Sequence, residues 1–160
     1  MCFWSGDRTY CFWDRPEPGK PILATALGLK ACEKGHEVRF FRVADLVAQL
    51  EEALKNGTLP RLKRQIEACE LLILDELGYV PFQKQGSELF FHIIADCYER
   101  KSVIVTSNLE FGQWNRVFGG NRLTAALVDR LVHHAHIIAF TGESYHLRHA
   151  LSSVKKISSN

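Results

Sequence analysis

Leu71-Leu72-Ile73-Leu74-Asp75-Glu76 is the stretch on which the fold turns, and Val103-Ile104-Val105-Thr106-Ser107-Asn108 repeats its form further along. Each opens as a short apolar run with no polar alternation, the pattern of a strand covered on both faces inside a parallel sheet. Each then breaks into polar residues at its C-terminal end, where open α/β sheets hold their ligands. An acidic pair on one strand tip and a carboxamide on a neighbouring tip suit a Mg²⁺–nucleotide site. In that reading Asp75 holds the metal, Glu76 polarises a water and Asn108 orients it. The competing reading makes Asp75 and Glu76 acidic caps of the helix that follows.

Outward from these runs, helical and strand patterns alternate. Residues 9–13 are rich in strand formers. Residues 22–34 have helical spacing, with Leu23, Ala26, Leu27 and Ala31 on one side, and stop at Gly35. Residues 38–41 read as a second strand, and residues 45–55 as an amphipathic helix with Asp45 at its N-cap. A short helix over 61–69 leads into the strand at 71–74. A helix over 86–100 turns Leu89, Phe90, Ile93, Ile94 and Cys97 inward, and the strand at 103–107 follows. Residues 123–133 are helical and 137–140 form a last strand. Five strands with helices between them predict a three-layer α/β domain on a mostly parallel sheet.

Composition sets bounds on function. A length of 160 residues suits one domain with a single core. With 46% hydrophobic and 24% charged residues, the composition is ordinary for a soluble globular protein. A net charge of +2 permits a nucleic-acid partner without requiring one. Five scattered cysteines (Cys2, Cys11, Cys32, Cys69 and Cys97) form no CxxC pair. They point to a reducing cytoplasm and away from a disulfide framework or a Cys-based zinc site. No apolar stretch approaches the ~20 residues of a membrane span, and the N-terminal MCFWSGDR lacks the layout of a signal peptide.

A nucleotide-binding domain of this layout needs a phosphate loop after its first strand, and DRPEPGKP (14–21) stands there. A loop of the GxxxxGK[ST] type uses glycines to aim successive N–H groups at phosphate oxygens, a Lys to reach the β/γ-phosphates and a hydroxyl to bind Mg²⁺. Gly19 and Lys20 stand in place before a helix whose N-terminal dipole favours anions. Taken alone they are an ordinary turn dipeptide; their position between a strand and a helix makes the segment a degraded phosphate loop. Asp14 replaces the first glycine, Pro21 replaces the hydroxyl, Pro18 removes a donor and Glu17 adds negative charge. Pro21 is compatible with a first helical turn. These departures predict nucleotide affinity below that of an intact loop.

The segments LLILDELGYV (71–80), GSELFF (86–91), VIVTSN (103–108), FGQW (111–114), LTAALVDRLVHHA (123–135) and GESYHLR (142–148) together resemble the IstB-like proteins. ATALG (24–28) and VRFF (38–41) extend the likeness, which covers about residues 16–151. These are ATP-binding helper proteins of insertion-sequence transposition, AAA+ ATPases related to the DnaC-type helicase loaders. The resemblance implies a P-loop NTPase fold of the AAA+ type with strand order 5-1-4-3-2, and ATP with Mg²⁺ as cofactors. It also implies homo-oligomers that assemble on DNA without sequence preference and engage a transposase.

By position, Gly19 and Lys20 match the phosphate-binding residues, Asp75 and Glu76 the metal-binding and water-activating pair, and Asn108 the water-sensing amide. Arg130 stands where the family has a trans-acting arginine finger, a group that contributes ~10³–10⁵ in rate. Its alternative is a surface ion pair with Asp129 or another acid. Arg148 matches a second phosphate-sensing arginine, although His146 stands where relatives more often have Arg. The organisation expected is an atypical segment at 1–15, as in an N-terminally truncated copy, an AAA+ ATPase-like domain at 16–151 and a fraying tail at 152–160. The altered loop weighs against ATP hydrolysis, and an AAA+ ATPase is expected only if the loop still binds Mg²⁺–ATP. A DnaC-like helicase loader, or a non-catalytic remnant that binds DNA or oligomerises, stays open beside the transposition reading.

Other signals are weaker. His133, His134 and His136 lack the i, i+4 spacing of a helical zinc pair, and no GxSxG elbow is present. Arg61, Lys63, Arg64, Arg116, Arg122, Lys155 and Lys156 are dispersed bases that suit either phosphate contact or plain solvation. NRVFGGNR (115–122) reads as a connector and as the first loop to test for DNA contact. Tyr79-Val80-Pro81-Phe82 reads as a loop beside the proposed site.

Overall fold

The two apolar runs lie side by side in a computed structural model of the chain, which describes residues 9–14, 19–98, 100–132 and 135–140. The strands are β1 (Thr9–Asp14), β2 (Val38–Arg42), β3 (Leu71–Leu77), β4 (Ser102–Ser107) and β5 (Ala135–Phe140). All recorded pairings are parallel, in the order β2-β3-β4-β1-β5, which from the other edge reads 5-1-4-3-2.

Alternation along each central strand divides its side chains between two faces. Leu71, Ile73 and Ile104 pack with Ala24 and Ala31 of α1 (Gly19–Glu33). Leu72, Leu74, Val103 and Val105 face a larger core. That core is completed by α2 (Val43–Lys55), α3 (Leu59–Ala68), α4 (Lys84–Cys97), α5 (Asn115–Phe118) and α6 (Asn121–Val132). The result is three layers, with α1 on one side of the sheet and α2–α6 on the other. Residues 71–74 are almost fully buried, each worth about 1.5–3 kcal/mol of transfer free energy. Among the described residues no helix is long and apolar enough to cross a membrane.

Several local expectations are corrected. The face of α1 that meets the sheet is Ala24, Gly28 and Ala31, whereas Leu23 and Leu27 are exposed. The helix lies so close that a Cβ on Gly28 would stand 2.8 Å from Ile73 Cδ1, which selects small residues over leucines. Asp45 is not the N-cap of α2, because the chain passes from β2 into the helix at Val43 with Arg42 as the extended cap residue; Asp45 sits in the first turn. α4 runs from Lys84 to Cys97 rather than to residue 100. Its inward Phe90, Ile93, Ile94 and Cys97 are buried as expected, with Leu89 half-buried.

Residues 115–122 are not a plain connector: Asn115–Phe118 forms a one-turn helix closed by Gly119 at φ 69°, and α6 starts at Asn121. Val117 and Phe118 hold that turn in the core, with Phe118 stacked 5.7 Å from Phe90. Lys101 supplies a cap that residue type alone does not reveal. Its buried ammonium donates to the carbonyls of Ile66, Glu67 and Cys69 at the end of α3, which has no basic residue in its own last turn. It satisfies orphan carbonyls and complements the helix dipole.

Candidate functional site

Because β3 and β4 are parallel and adjacent, their polar ends come out at one edge of the sheet. The pairing runs Leu74↔Val105 and then Leu77↔Ser107, so β3 carries one more residue than β4 over this interval. That extra residue is a β-bulge, a device common beside functional sites. It falls on the acidic pair: Asp75 and Glu76 are themselves part of β3. They do not cap the next helix, which begins at Lys84 with Gln83 as its cap residue.

Thr106 stands opposite the bulge. Its buried hydroxyl donates to Asp75 Oδ1 and accepts the Glu76 N–H at 3.0 Å. Among the described residues Asp75 Oδ2 has no further partner. Glu76 takes φ 60°, a left-handed conformation that costs a non-glycine residue about 1–2 kcal/mol. Its carboxylate lies 3.6 Å from Arg42 Nε at the end of β2. Arg42 is largely exposed, so the pair is worth less than about 1 kcal/mol and leaves Glu76 free to exchange partners.

Asn108 follows the end of β4. Its Oδ1 is buried and, among the described residues, has no hydrogen-bond partner, an arrangement that carries a desolvation cost. Gly78, at φ 110°, makes room for it: a Cβ there would stand 2.9 Å from Asn108 Oδ1 and 2.7 Å from Leu109 Cδ1. Ser107 braces the same corner, donating to Leu77 O at 2.8 Å and accepting from Leu109 N at 3.1 Å.

β1 lies beside β4, with Trp13 in register with Ser107, so its C-terminal end opens at the same edge. Gly19 and Lys20 form the start of α1, with residues 15–18 between them and β1. The structure therefore brings the Asp75, Glu76 and Asn108 tips together and sets the first turn of α1 after the adjoining strand. Arg130 is elsewhere, on α6, with its guanidinium 4.7 Å from the centre of the Phe91 ring on α4. It also donates to Ala126 O at 3.4 Å. Among the described residues no ion pair joins it to Asp129 or another acid, and its recorded side-chain partner is the Phe91 ring. Arg148, His133, His134, Lys155 and Lys156 lie outside the described residues.

The donors fit a hard cation. Asp75 offers carboxylate oxygen and Asn108 a buried carbonyl oxygen, the ligand type that Mg²⁺ and its waters prefer. Among the described residues no group of three or more His, Cys, Asp and Glu side chains could hold a metal ion. A metal here would thus take phosphate and water as its remaining ligands, the usual state of nucleotide-bound Mg²⁺. Sequence reasoning missed Thr106, Arg42, Gly78 and Phe91. Thr106 was visible as the polar residue inside an apolar run, but its bond to Asp75 depends on a bulge that only the strand register reveals.

A parallel sheet with acidic and amide residues on adjacent tips, and a helix starting after the neighbouring strand, defines a P-loop-NTPase-like α/β domain. A family model described as IstB-like ATP binding protein matches residues 13–153, and the chain belongs to that family. It is 41% identical over 133 residues to an IS21 insertion-sequence protein of Pseudomonas aeruginosa whose name describes it as ATP-binding, a match covering 83% of this chain and 50% of that protein. The chain spans about half the length of the first curated relatives it matches. Two solved structures share the fold at lower identity. One is AMPPCP-bound DnaA from Aquifex aeolicus (TM-score 0.74, 22% identity, 98% of this chain and 47% of that one). The other is the DnaC helicase loader (TM-score 0.69, 20% identity, 84% and 78%).

Proposed function

We propose that this domain binds Mg²⁺–ATP at the C-terminal edge of its sheet and serves as an AAA+-type, DNA-associated helper of insertion-sequence transposition. The observation that carries the reading is the bulged tip of β3, where Asp75 and Glu76 stand on the strand next to β4, which ends just before Asn108, whose buried Oδ1 has no partner among the described residues. The family description and the ATP-binding names of the relatives support the same ligand. In this reading Gly19 and Lys20 meet the phosphates, and Asp75 contributes an oxygen to the metal. Glu76 accepts a proton from the attacking water while Asn108 Oδ1 accepts a hydrogen bond from it. The metal, when bound, neutralises charge on the β- and γ-phosphates. Arg130 serves a neighbouring copy after leaving Phe91, a stacking worth about 0.5–1 kcal/mol. Arg148 completes the phosphate contacts.

A homo-oligomer, DNA and a transposase are the partners proposed, with DNA held through its backbone. Binding to a duplex should therefore weaken steeply with salt; affinity that survives high salt would oppose this. The replaced loop residues Asp14, Glu17, Pro18 and Pro21 favour a second reading, a domain that binds partners without turnover. Phosphate release measured with and without DNA separates the two. Turnover that falls at least a hundredfold in Glu76→Gln supports hydrolysis, and release that never exceeds the Glu76→Gln background supports the second reading. Co-purification with a replicative helicase instead of a transposase would move the domain to the helicase loaders.

A further inference from the structure

One hydroxyl faces two consecutive residues of the acidic tip, and from this we infer that Thr106 is a positioning residue for the site. It fixes the carboxylate of Asp75 and the backbone of Glu76 in the arrangement that meets a nucleotide-bound Mg²⁺. The inference deepens the proposed function and rests on it. Thr106 is 3% exposed, so its hydroxyl has little recourse to water. Its oxygen accepts the Glu76 N–H at 3.0 Å, and its single proton is then directed to Asp75 Oδ1. Both contacts use one rotamer of a β-branched side chain, whose χ1 is restricted.

The bulge explains why a side chain is needed here at all. Between the Leu74↔Val105 and Leu77↔Ser107 pairs the regular ladder is interrupted. The Glu76 N–H would be left without a strand partner, in a residue already held at φ 60°. Thr106 replaces the missing ladder bond. The same bond commits Oδ1 of Asp75 and leaves Oδ2, with no other partner among the described residues, for an incoming cation. A buried β4 residue thus sets the rotamer of the metal-facing carboxylate and the direction of the Glu76 side chain.

The test compares wild type with Thr106→Val, which keeps shape and loses the hydroxyl, and Thr106→Ser, which keeps the hydroxyl. ATP binding is titrated calorimetrically in EDTA and across a Mg²⁺ series, alongside thermal unfolding. Thr106→Val should raise the Mg²⁺ concentration needed for half-maximal Mg²⁺-dependent binding by about tenfold, the scale of one charge-assisted hydrogen bond. Thr106→Ser should stay within about twofold of wild type, and binding in EDTA should be equal in all three. A Thr106→Val protein that melts earlier but keeps the wild-type Mg²⁺ dependence overturns the inference, as does Thr106→Ser behaving like Thr106→Val. A wild type with no Mg²⁺-dependent ATP binding removes the nucleotide reading itself, and this inference with it. Hydrogen exchange of the Glu76 amide in the wild-type protein is an arm independent of ligand and of whether the valine variant folds. Strong protection is expected, and exchange at the open-chain rate overturns the proposal.

Discussion

Gly78 is the residue on which the geometry of the tip is least tolerant. At φ 110°, with Leu109 Cδ1 and Asn108 Oδ1 within 3 Å of any added Cβ, alanine meets both backbone strain and a clash. Gly78→Ala should lower stability by about 1–3 kcal/mol, read as a lower urea midpoint; an unchanged midpoint would contradict the described turn. Cys97 gives a second residue-scale test. Burial pushes its thiol up to about 11, against an ordinary 9.0. Between these values the folded chain holds a proton that the unfolded chain releases, so the stabilisation is complete below pH 9 and declines as pH rises toward 11. Thermal midpoints taken from pH 8 to 11 should fall more steeply in wild type than in Cys97→Ala. Parallel curves would show that the thiol is not shielded. The positions of Glu76 and Asn108 near the C-terminal ends of β3 and β4 were legible from chemical type and place alone, because polar residues that end a doubly buried run have few other locations.

At the scale of elements, the strands could be read and the helix faces only in part. Residues 71–74 and 103–105 announce themselves because a strand covered on both sides must be apolar throughout. α1 carries apolar residues around much of its circumference, so periodicity does not choose between Leu23 with Leu27 and Ala24 with Gly28 and Ala31. Distance to the sheet chooses, and that is a tertiary quantity. Gly28→Val should push α1 away from Ile73 and lower the thermal midpoint by several degrees, the effect of overpacking by about 1–3 kcal/mol; a retained midpoint would mean that the helix has slack. The start of α2 was misread for a similar reason. Asp45 is a good cap by type, but β2 ends at Arg42 and leaves no loop in which a capping side chain could turn back. The bulge in β3 was likewise illegible, since register depends on two strands at once.

At the scale of the molecule, the parallel order gathers the C-terminal ends of β3, β4 and β1 on one edge, and a nucleotide site needs that gathering before any single residue matters. The family blocks that fall within the described residues were readable because they lie at these strand ends and on the helices behind them, while the phosphate segment departs from the pattern at Asp14, Glu17, Pro18 and Pro21. In the proposed function the Asp75, Glu76 and Asn108 tips and the start of α1 act as one Mg²⁺–nucleotide site. Calorimetric titration of ATP with and without Mg²⁺ into wild type, Asp75→Asn and Lys20→Ala tests it most directly. Wild type should bind ATP in a Mg²⁺-dependent manner, and each substitution should weaken that binding at least tenfold. Binding indifferent to Mg²⁺, or an affinity that neither substitution changes, would contradict it.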